Sequence, residues 1–139
     1  MKDEESPNIN SDYSKIIQNN FVIQSYVNGM SRFLILWIVK AKEPIHGYGI
    51  LKELDKFFTT LIIEKSLKKS NPSKIYPVLN KMENLNLIKS HFEMKSNRKV
   101  KFYKITDEGK YVLDYLYSRF DHIHGNKQWT ELFNDMDKS

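Results

Sequence analysis

Apolar residues recur at helical spacing along the first third of the chain. The pattern predicts one helix over 13–27, which Asn28–Gly29 interrupts. Ser31 is placed to cap a second helix that is apolar on most sides and is therefore predicted to be buried. That helix is predicted to end near Lys42, because the residue before Pro44 avoids the helical region.

Two shorter helices follow. One begins after the turn at 46–49, and its predicted inner face consists of Ile50, Leu51, Leu54, Phe57 and Phe58. The segment 59–70 fits either an extension of this helix or a loop. Asn71-Pro72-Ser73 predicts the start of the next helix, since Asn or Ser can cap and proline suits the first turn. Its predicted inner residues are Ile75, Val78, Leu79, Met82 and Leu85.

The pattern then changes to alternation. Residues 87–94 and 100–105 alternate as strands do, and the polar segment 95–99 between them predicts the tip of a β-hairpin. Thr106, followed by two acids, predicts another helix start. The C-terminal helices carry apolar residues at helical spacing: Tyr111, Val112, Tyr115, Leu116, Phe120, Trp129, Leu132, Phe133 and Met136.

This order of elements predicts a mainly α protein with a small antiparallel β-hairpin, of the α+β class. Three helices followed by a two-stranded wing form a winged helix-turn-helix. We expect a disordered tail over 1–12, a winged helix-turn-helix domain with its N-terminal helix over 13–106, and C-terminal dimerisation helices over 107–139.

Charge is distributed unevenly along the chain. The forty residues from Lys65 to Lys104 hold eleven Lys or Arg and two acids, a net charge of +9. The whole chain carries +5, so the remaining ninety-nine residues carry −4. A basic segment within an acidic chain indicates a surface that binds a polyanion, although a solvated lysine face would give the same count.

Composition excludes several classes of protein. The chain has no cysteine, which excludes disulfides and thiolate metal sites, and four scattered histidines predict no metal site and no cofactor. The longest apolar run, Phe33–Val39, is shorter than the roughly 20 residues of a membrane span. The polar, acidic start is unlike a signal peptide, so we expect a cytoplasmic protein. No nucleophile motif, phosphate loop or carboxylate pair indicates an enzyme.

The most basic parts of the predicted fold are the outer face of the fourth helix and the hairpin. The major groove of DNA, about 12 Å wide, admits one helix, and such a helix needs a polar, basic outer face. We therefore predict contacts with double-stranded DNA from a recognition helix at about 72–86 and a basic wing at about 88–105. The candidate residues are Ser73, Lys74, Asn80, Lys81, Arg98, Lys99 and Lys101. Ser73 could equally cap its own helix.

The stretch 35–109 resembles the PadR family of transcriptional regulators. The resemblance rests on Pro44-Ile45-His46-Gly47-Tyr48-Gly49-Ile50, on Pro72-Ser73-Lys74-Ile75-Tyr76-Pro77-Val78-Leu79 and on Phe102-Tyr103-Lys104-Ile105-Thr106-Asp107-Glu108-Gly109. At the wing tip Asn97 replaces the family's usual glycine and can also adopt a left-handed turn. The segment 48–72 is several residues longer than usual, which indicates a longer helix or an inserted loop.

This resemblance implies a homodimeric repressor that releases DNA on binding a hydrophobic or aromatic small molecule. It also implies that the Tyr76 hydroxyl reaches DNA, the alternative being a tyrosine packed against the wing. The predicted dimer contacts are Tyr111, Val112, Tyr115, Leu116 and Phe120, because they offer more apolar surface than a small core covers. Trp37 and Trp129 are candidates for core, interface or effector pocket. The alternative functions are a sequence-neutral nucleoid protein and a winged-helix assembly module.

Overall fold

The computed structural model of the protein describes residues 15–17, 20–63 and 67–139. In chain order its elements are α1 (Phe21–Lys42), β1 (Ile45–His46), α2 (Gly47–Phe57), α3 (Thr59–Ile63), α4 (Pro72–Asn84), β2 (Ile88–Lys95), β3 (Arg98–Ile105), α5 (Asp107–Phe120), a 3₁₀ turn (Asp121–Ile123) and α6 (Lys127–Asp137). Residues 15–17 are also helical. The predicted α+β class is confirmed. The tail predicted over 1–12 lies outside the described residues.

A single long helix, α1, replaces the interrupted pair that the sequence predicts. The side chain of Asn20 caps it, because its Oδ1 accepts hydrogen bonds from the backbone N–H groups of Val22 and Ile23, at 2.9 and 3.1 Å. The predicted break at Asn28–Gly29 and the predicted cap at Ser31 are wrong, since the helix runs through both. One glycine within a helix costs about 1 kcal/mol, which the packing of so long a helix offsets.

The C-terminal half of α1 lies at the centre of the core. By length and composition alone this helix could cross a membrane. The apolar side chains of its C-terminal half are buried, mainly against α2, β3 and α5, while Phe21, Val22 and Tyr26 near its start are exposed. The core contains Leu34, Ile35, Leu36, Ile38 and Val39 of α1, with Ile50, Leu54, Ile75, Leu79, Ile88, Tyr103, Ile105 and Leu113. This packing accounts for the apolar character of the C-terminal half of the helix.

In the part of the chain that the structure describes, the sheet has three strands, in the order β1-β3-β2. The helix α1 ends at Lys42 as predicted, and the Glu43–Pro44 bond that follows is cis. The sequence does not predict β1, because two residues are too few to show a periodicity. β1 pairs antiparallel with β3, with Ile45 opposite Tyr103. The Glu43 carboxylate accepts a hydrogen bond from the backbone N–H of Ile105 at 2.7 Å, which secures this edge.

The helices α2 and α4 form the helix-turn-helix. The inner face predicted for α2 is confirmed except at Phe57, which is exposed and contacts Trp37 edge to face, with ring centroids 5.8 Å apart. Phe57 is the last residue of α2, whereas Phe58 follows the helix with a non-helical backbone and turns its side chain into the core. Between α2 and α4, the segment 59–70 contains both alternatives, the short α3 and an irregular stretch at 67–70; residues 64–66 lie outside the described part.

The predicted start of α4 is confirmed. Asn71 is its N-cap, and the Asn71 Oδ1 accepts the backbone N–H of Lys74 at 3.2 Å. Pro77 lies within the helix on its exposed side. The prediction that Leu85 faces inward is wrong: α4 ends at Asn84, so Leu85 leaves the helical register and its side chain is exposed.

The hairpin pairs over its whole length, from Ile88 opposite Ile105 to Lys95 opposite Arg98. The turn is only Ser96–Asn97, and both residues are left-handed, with φ of 48° and 63°. The left-handed conformation predicted for Asn97 is confirmed. The tip predicted over 95–99 is shorter, since the three basic residues around the turn belong to the strands.

The C-terminal part consists of α5 and α6. Thr106 caps α5, as predicted, because its Oγ1 accepts the backbone N–H of Gly109 at 3.0 Å. A Cβ at position 109 would overlap the Leu87 carbonyl oxygen, so this close approach requires glycine. The second helix, α6, has no buried residue along its described length.

Candidate nucleic-acid interface

One side of α4 is exposed and polar, while the other packs on the core through Ile75, Leu79 and Met82. The exposed side consists of Ser73, Lys74, Tyr76, Pro77, Asn80, Lys81 and Asn84. Within the described part of the chain, Lys74 and Lys81 form no ion pair. The Ser73 hydroxyl donates to the Asn71 side-chain oxygen, so it strengthens the cap of α4. This face therefore presents positive charge beside groups that can donate and accept hydrogen bonds.

Tyr76 joins α4 to α2. A Cβ at position 47 would lie 2.5 Å from the Tyr76 hydroxyl oxygen, so Gly47 leaves room for that ring at the start of α2. Glycine is needed at position 47 because of this close packing, and its backbone does not have a positive φ. Tyr76 remains exposed, and its predicted contact with DNA stays a prediction. No local pattern indicates this pairing, because the two residues are far apart in the chain.

Glu83 holds the wing against the end of α4. Its carboxylate accepts a hydrogen bond from the Ser90 hydroxyl on β2, and the Lys101 ammonium on β3 lies 3.2 Å from its other oxygen. The Ser90 hydrogen bond, followed by Lys101, lowers the pKa of Glu83 against the opposing effect of partial burial. Sequence reasoning missed this role, although Glu83 is one of only two acids in the basic segment.

Lys101 is held inside this junction. Besides the Glu83 pairing, its ammonium lies 5.6 Å from the centroid of the Tyr103 ring. Tyr103 is buried, and burial, followed by the Glu83 charge, raises its pKa to about 12. Much of the Lys101 charge is therefore compensated within the protein, and its predicted DNA contact stays a prediction.

The wing presents Arg98 and Lys99 beside its turn. Both residues are exposed, and among the described residues neither forms an ion pair. The Lys99 ammonium lies 4.5 Å from the centroid of the Phe92 ring on the neighbouring strand. Glu83 thus connects the wing, which carries these two cations, directly to α4, which carries Lys74 and Lys81.

The turn at 46–49 is packed on the sheet at one residue and open to solvent at another. The side chain of Tyr48 is 56% exposed, and the Lys52 ammonium lies 5.1 Å from its ring centroid. His46 does pack, since its ring stacks on Phe102 with centroids 5.7 Å apart. Tyr48 and Lys52 extend the polar surface onto the first turns of α2.

The described residues offer no metal site but enclose a small cavity near α4. These residues contain no group of three or more His, Cys, Asp or Glu placed to hold a metal ion. A cavity of about 90 Å³ lies between α1, α2 and the start of α4, with walls that include Val27, Leu54, Phe58 and Lys74. Trp37 and Trp129 are not among its walls.

Comparison with known proteins places this geometry in a family. Residues 35–115 match the model of the "Transcriptional regulator PadR-like family". The fold is similar to a PadR family transcriptional regulator from Eggerthella lenta DSM 2243, with a TM-score of 0.62 and 22% identity over 91% of this chain and 94% of that chain. It is also similar to a PadR-like transcriptional regulator from Bacillus cereus strain ATCC 14579, with a TM-score of 0.60 and 23% identity over 83% of this chain and 98% of that chain. No curated protein matches the chain.

The matched region runs from the core of α1 to the middle of α5, which is more than half of the chain. It contains the helix-turn-helix, the wing and every candidate DNA-contacting residue. The family is one of transcription factors and not of enzymes. The protein therefore belongs to the PadR-like family of DNA-binding transcriptional regulators.

Proposed function

We propose that the protein is a cytoplasmic, homodimeric repressor that binds a specific sequence of double-stranded DNA. The observation that carries this proposal is the exposed face of α4, which combines lysines with hydroxyl and amide side chains beside the cationic wing. A helix with such a face fits the major groove, about 12 Å wide. Membership of a family of DNA-binding regulators supports it.

The two elements have different tasks in this proposal. Lys74, Asn80 and Lys81 on α4 reach base edges, because amide and ammonium groups donate to the acceptors that distinguish bases in the major groove. Arg98 and Lys99 on the wing neutralise phosphates. The Tyr76 hydroxyl donates a hydrogen bond to a phosphate. Ser73 stabilises the start of α4 through its hydrogen bond to the Asn71 cap. Lys101 sets the position of the wing through Glu83.

The first prediction separates these two tasks. Lys74→Ala should cost about 1–3 kcal/mol of affinity for a duplex selected from a random library, with relaxed specificity at one position of each half-site. Arg98→Ala combined with Lys99→Ala should weaken selected and random duplexes about equally. That double variant should also reduce the salt dependence of binding, by roughly 0.9 in log–log slope for each phosphate that the wing no longer neutralises. Fluorescence anisotropy at several salt concentrations measures both effects.

Lys138→Ala is the control, since it removes an exposed lysine after α6 and should change neither quantity. A wing variant that loses affinity only for the selected duplex would show that the wing recognises bases. A wild-type protein that binds every duplex alike would support the sequence-neutral nucleoid protein instead.

The dimer part of the proposal rests on uncovered apolar surface. Tyr111 and Tyr115 lie on the outer side of α5, and Tyr111 is 72% exposed. Phe120 packs edge to face on Phe33 of the same chain, with centroids 5.9 Å apart, yet is still about half exposed. Val112 and Leu116 are half-buried. The helix α6 adds an apolar strip of Trp129, Leu132, Phe133 and Met136. We infer that a second copy of the chain covers this surface.

The second prediction tests this interface. Tyr111→Glu should raise the dissociation constant of the dimer about a hundredfold or more, because a twofold interface places two unpaired charges in an apolar contact. Sedimentation velocity over a range of protein concentrations measures it. Thr60→Glu adds the same charge at an exposed position of α3 and should leave the dimer intact. A wild-type chain that is monomeric at micromolar concentration would contradict the proposal.

The repressor is also proposed to respond to a hydrophobic or aromatic effector. The cavity of about 90 Å³ supports a small effector, because Leu54 and Phe58 line part of it and its mixed walls include Lys74 and Ile75 of α4. A molecule bound there would contact the recognition helix directly and could shift it relative to α1.

A further inference from the structure

We propose that the wing makes an apolar contact with DNA through Phe92 and Met94, which lie against the deoxyribose walls of the minor groove beside each half-site. This inference rests on the proposed function and adds a second kind of contact to a wing assigned above to charge alone. It predicts a part of the binding free energy that does not respond to salt.

The two residues continue a sheet face that is packed at its base and open at its end. Along β2, Ile88 is buried in the core and Ser90 bonds to Glu83 of α4. Side chains on one face of a strand recur every second residue, so Phe92 and Met94 follow on the same face. They are 55% and 67% exposed. The face that turns toward α4 therefore ends in two large apolar side chains open to solvent.

Cations border this apolar pair. Across the hairpin, Lys101 is in register with Phe92 and Lys99 with Met94. Their ammonium nitrogens lie 6.0 and 4.5 Å from the centroid of the Phe92 ring. A partner that fits must offer apolar surface next to negative charge. The backbone of DNA does this, because apolar sugar edges alternate with phosphates along the walls of the minor groove.

The position of the pair beside α4 selects DNA as the occupant. The Glu83 contacts to Ser90 and Lys101 fix the hairpin next to the exposed face of the recognition helix. When that helix enters a major groove, the adjoining surface of the duplex is the backbone and the neighbouring minor groove. Phe92 and Met94 are thus continuous with the proposed interface and need no separate partner.

This arrangement has a measurable consequence. Contacts between cations and phosphates release bound counterions and weaken steeply as salt rises, whereas burial of apolar surface does not release them. Removal of the apolar pair should therefore lower affinity by the same factor at every salt concentration. Removal of a wing lysine should instead make the slope of log affinity against log salt concentration shallower.

The third prediction uses the double variant Phe92→Ala with Met94→Ala and a random-sequence duplex of about 30 base pairs, or three helical turns. Anisotropy titrations at several salt concentrations should show affinity about tenfold lower or more, with an unchanged slope. Lys99→Ala should reduce the slope. Phe57→Ala, which removes a phenylalanine that is 48% exposed on α2, should alter neither quantity. Circular dichroism confirms that each variant is folded.

A second measurement identifies the groove. On a duplex with A·T tracts, netropsin, which occupies the minor groove of such tracts, should lower the affinity of the wild-type protein to the level of the double variant and should leave the affinity of the double variant unchanged. If the wild type binds the duplex and the double variant binds it equally well at all salt concentrations, the apolar contact does not exist. A double variant that loses self-association and not DNA affinity would assign the pair to a protein interface. Failure of the wild type to bind any duplex would instead overturn the proposed function itself.

Discussion

Replacing Gly109 with alanine should lower the free energy of unfolding by about 3 kcal/mol or more. The added Cβ would overlap the Leu87 carbonyl oxygen and would lie 2.7 Å from the Ile105 Cγ1. That carbonyl cannot easily move, because it accepts hydrogen bonds from the backbone N–H of Thr106 at 3.1 Å and from the Thr106 hydroxyl at 2.9 Å. The new methyl group therefore pushes α5 away from the base of the wing.

Urea denaturation followed by circular dichroism measures this effect. Gly29→Ala is the matched control, since position 29 lies within α1 and a Cβ there meets no atom within 4 Å. That variant should be stabilised by up to about 1 kcal/mol, because alanine favours a helix more than glycine does. Equal changes in the two variants would contradict the close approach at Gly109, and a destabilised Gly29→Ala protein would contradict the continuous α1.

The helical part of the fold could be predicted because its signals are local. Caps at Asn71 and Thr106 and the inner faces of α2 and α4 follow from spacing within one element. The continuity of α1 could not be predicted in this way. Asn28–Gly29 weakens a helix locally, but packing elsewhere in the domain decides whether the helix continues. The strand β1 exists only because β3 pairs with it, and two residues show no pattern of their own.

In the candidate site, too, features within one helix could be predicted and contacts between elements could not. The exposure of Lys74 and Lys81 follows from helical periodicity, so the sequence could indicate them as exposed cations. The contact between Gly47 and Tyr76 depends on how α2 and α4 pack. The Glu83 junction joins α4 to both strands of the wing, and no local pattern predicts such a contact. It also explains why Lys101 differs from the neighbouring wing cations.

Insertion of about five base pairs between the half-sites, roughly half a helical turn, should weaken binding of the dimer about a hundredfold or more. In the proposed dimer the two α4 helices are related by a twofold axis, so they enter successive major grooves about 34 Å apart, or a multiple of that distance. Lys74 and Lys81 are seven residues apart, about 10.5 Å along the helix axis, so each helix spans only a few base pairs. A half-turn insertion places the second half-site on the opposite face of the duplex, where the second helix cannot reach it.

An insertion of a full turn, about ten base pairs, restores the face but not the distance. This insertion should restore affinity only if the dimer can extend. The affinity recovered therefore measures how rigidly the α5 and α6 interface fixes the distance between the two α4 helices. The Tyr111→Glu monomer provides the decisive comparison, because a single recognition helix should bind weakly and be indifferent to the spacing of the half-sites. If wild-type affinity also stays the same after the half-turn insertion, the two helices do not act as a fixed pair. The cationic face of α4 would then bind DNA without a defined register, as a sequence-neutral nucleoid protein does.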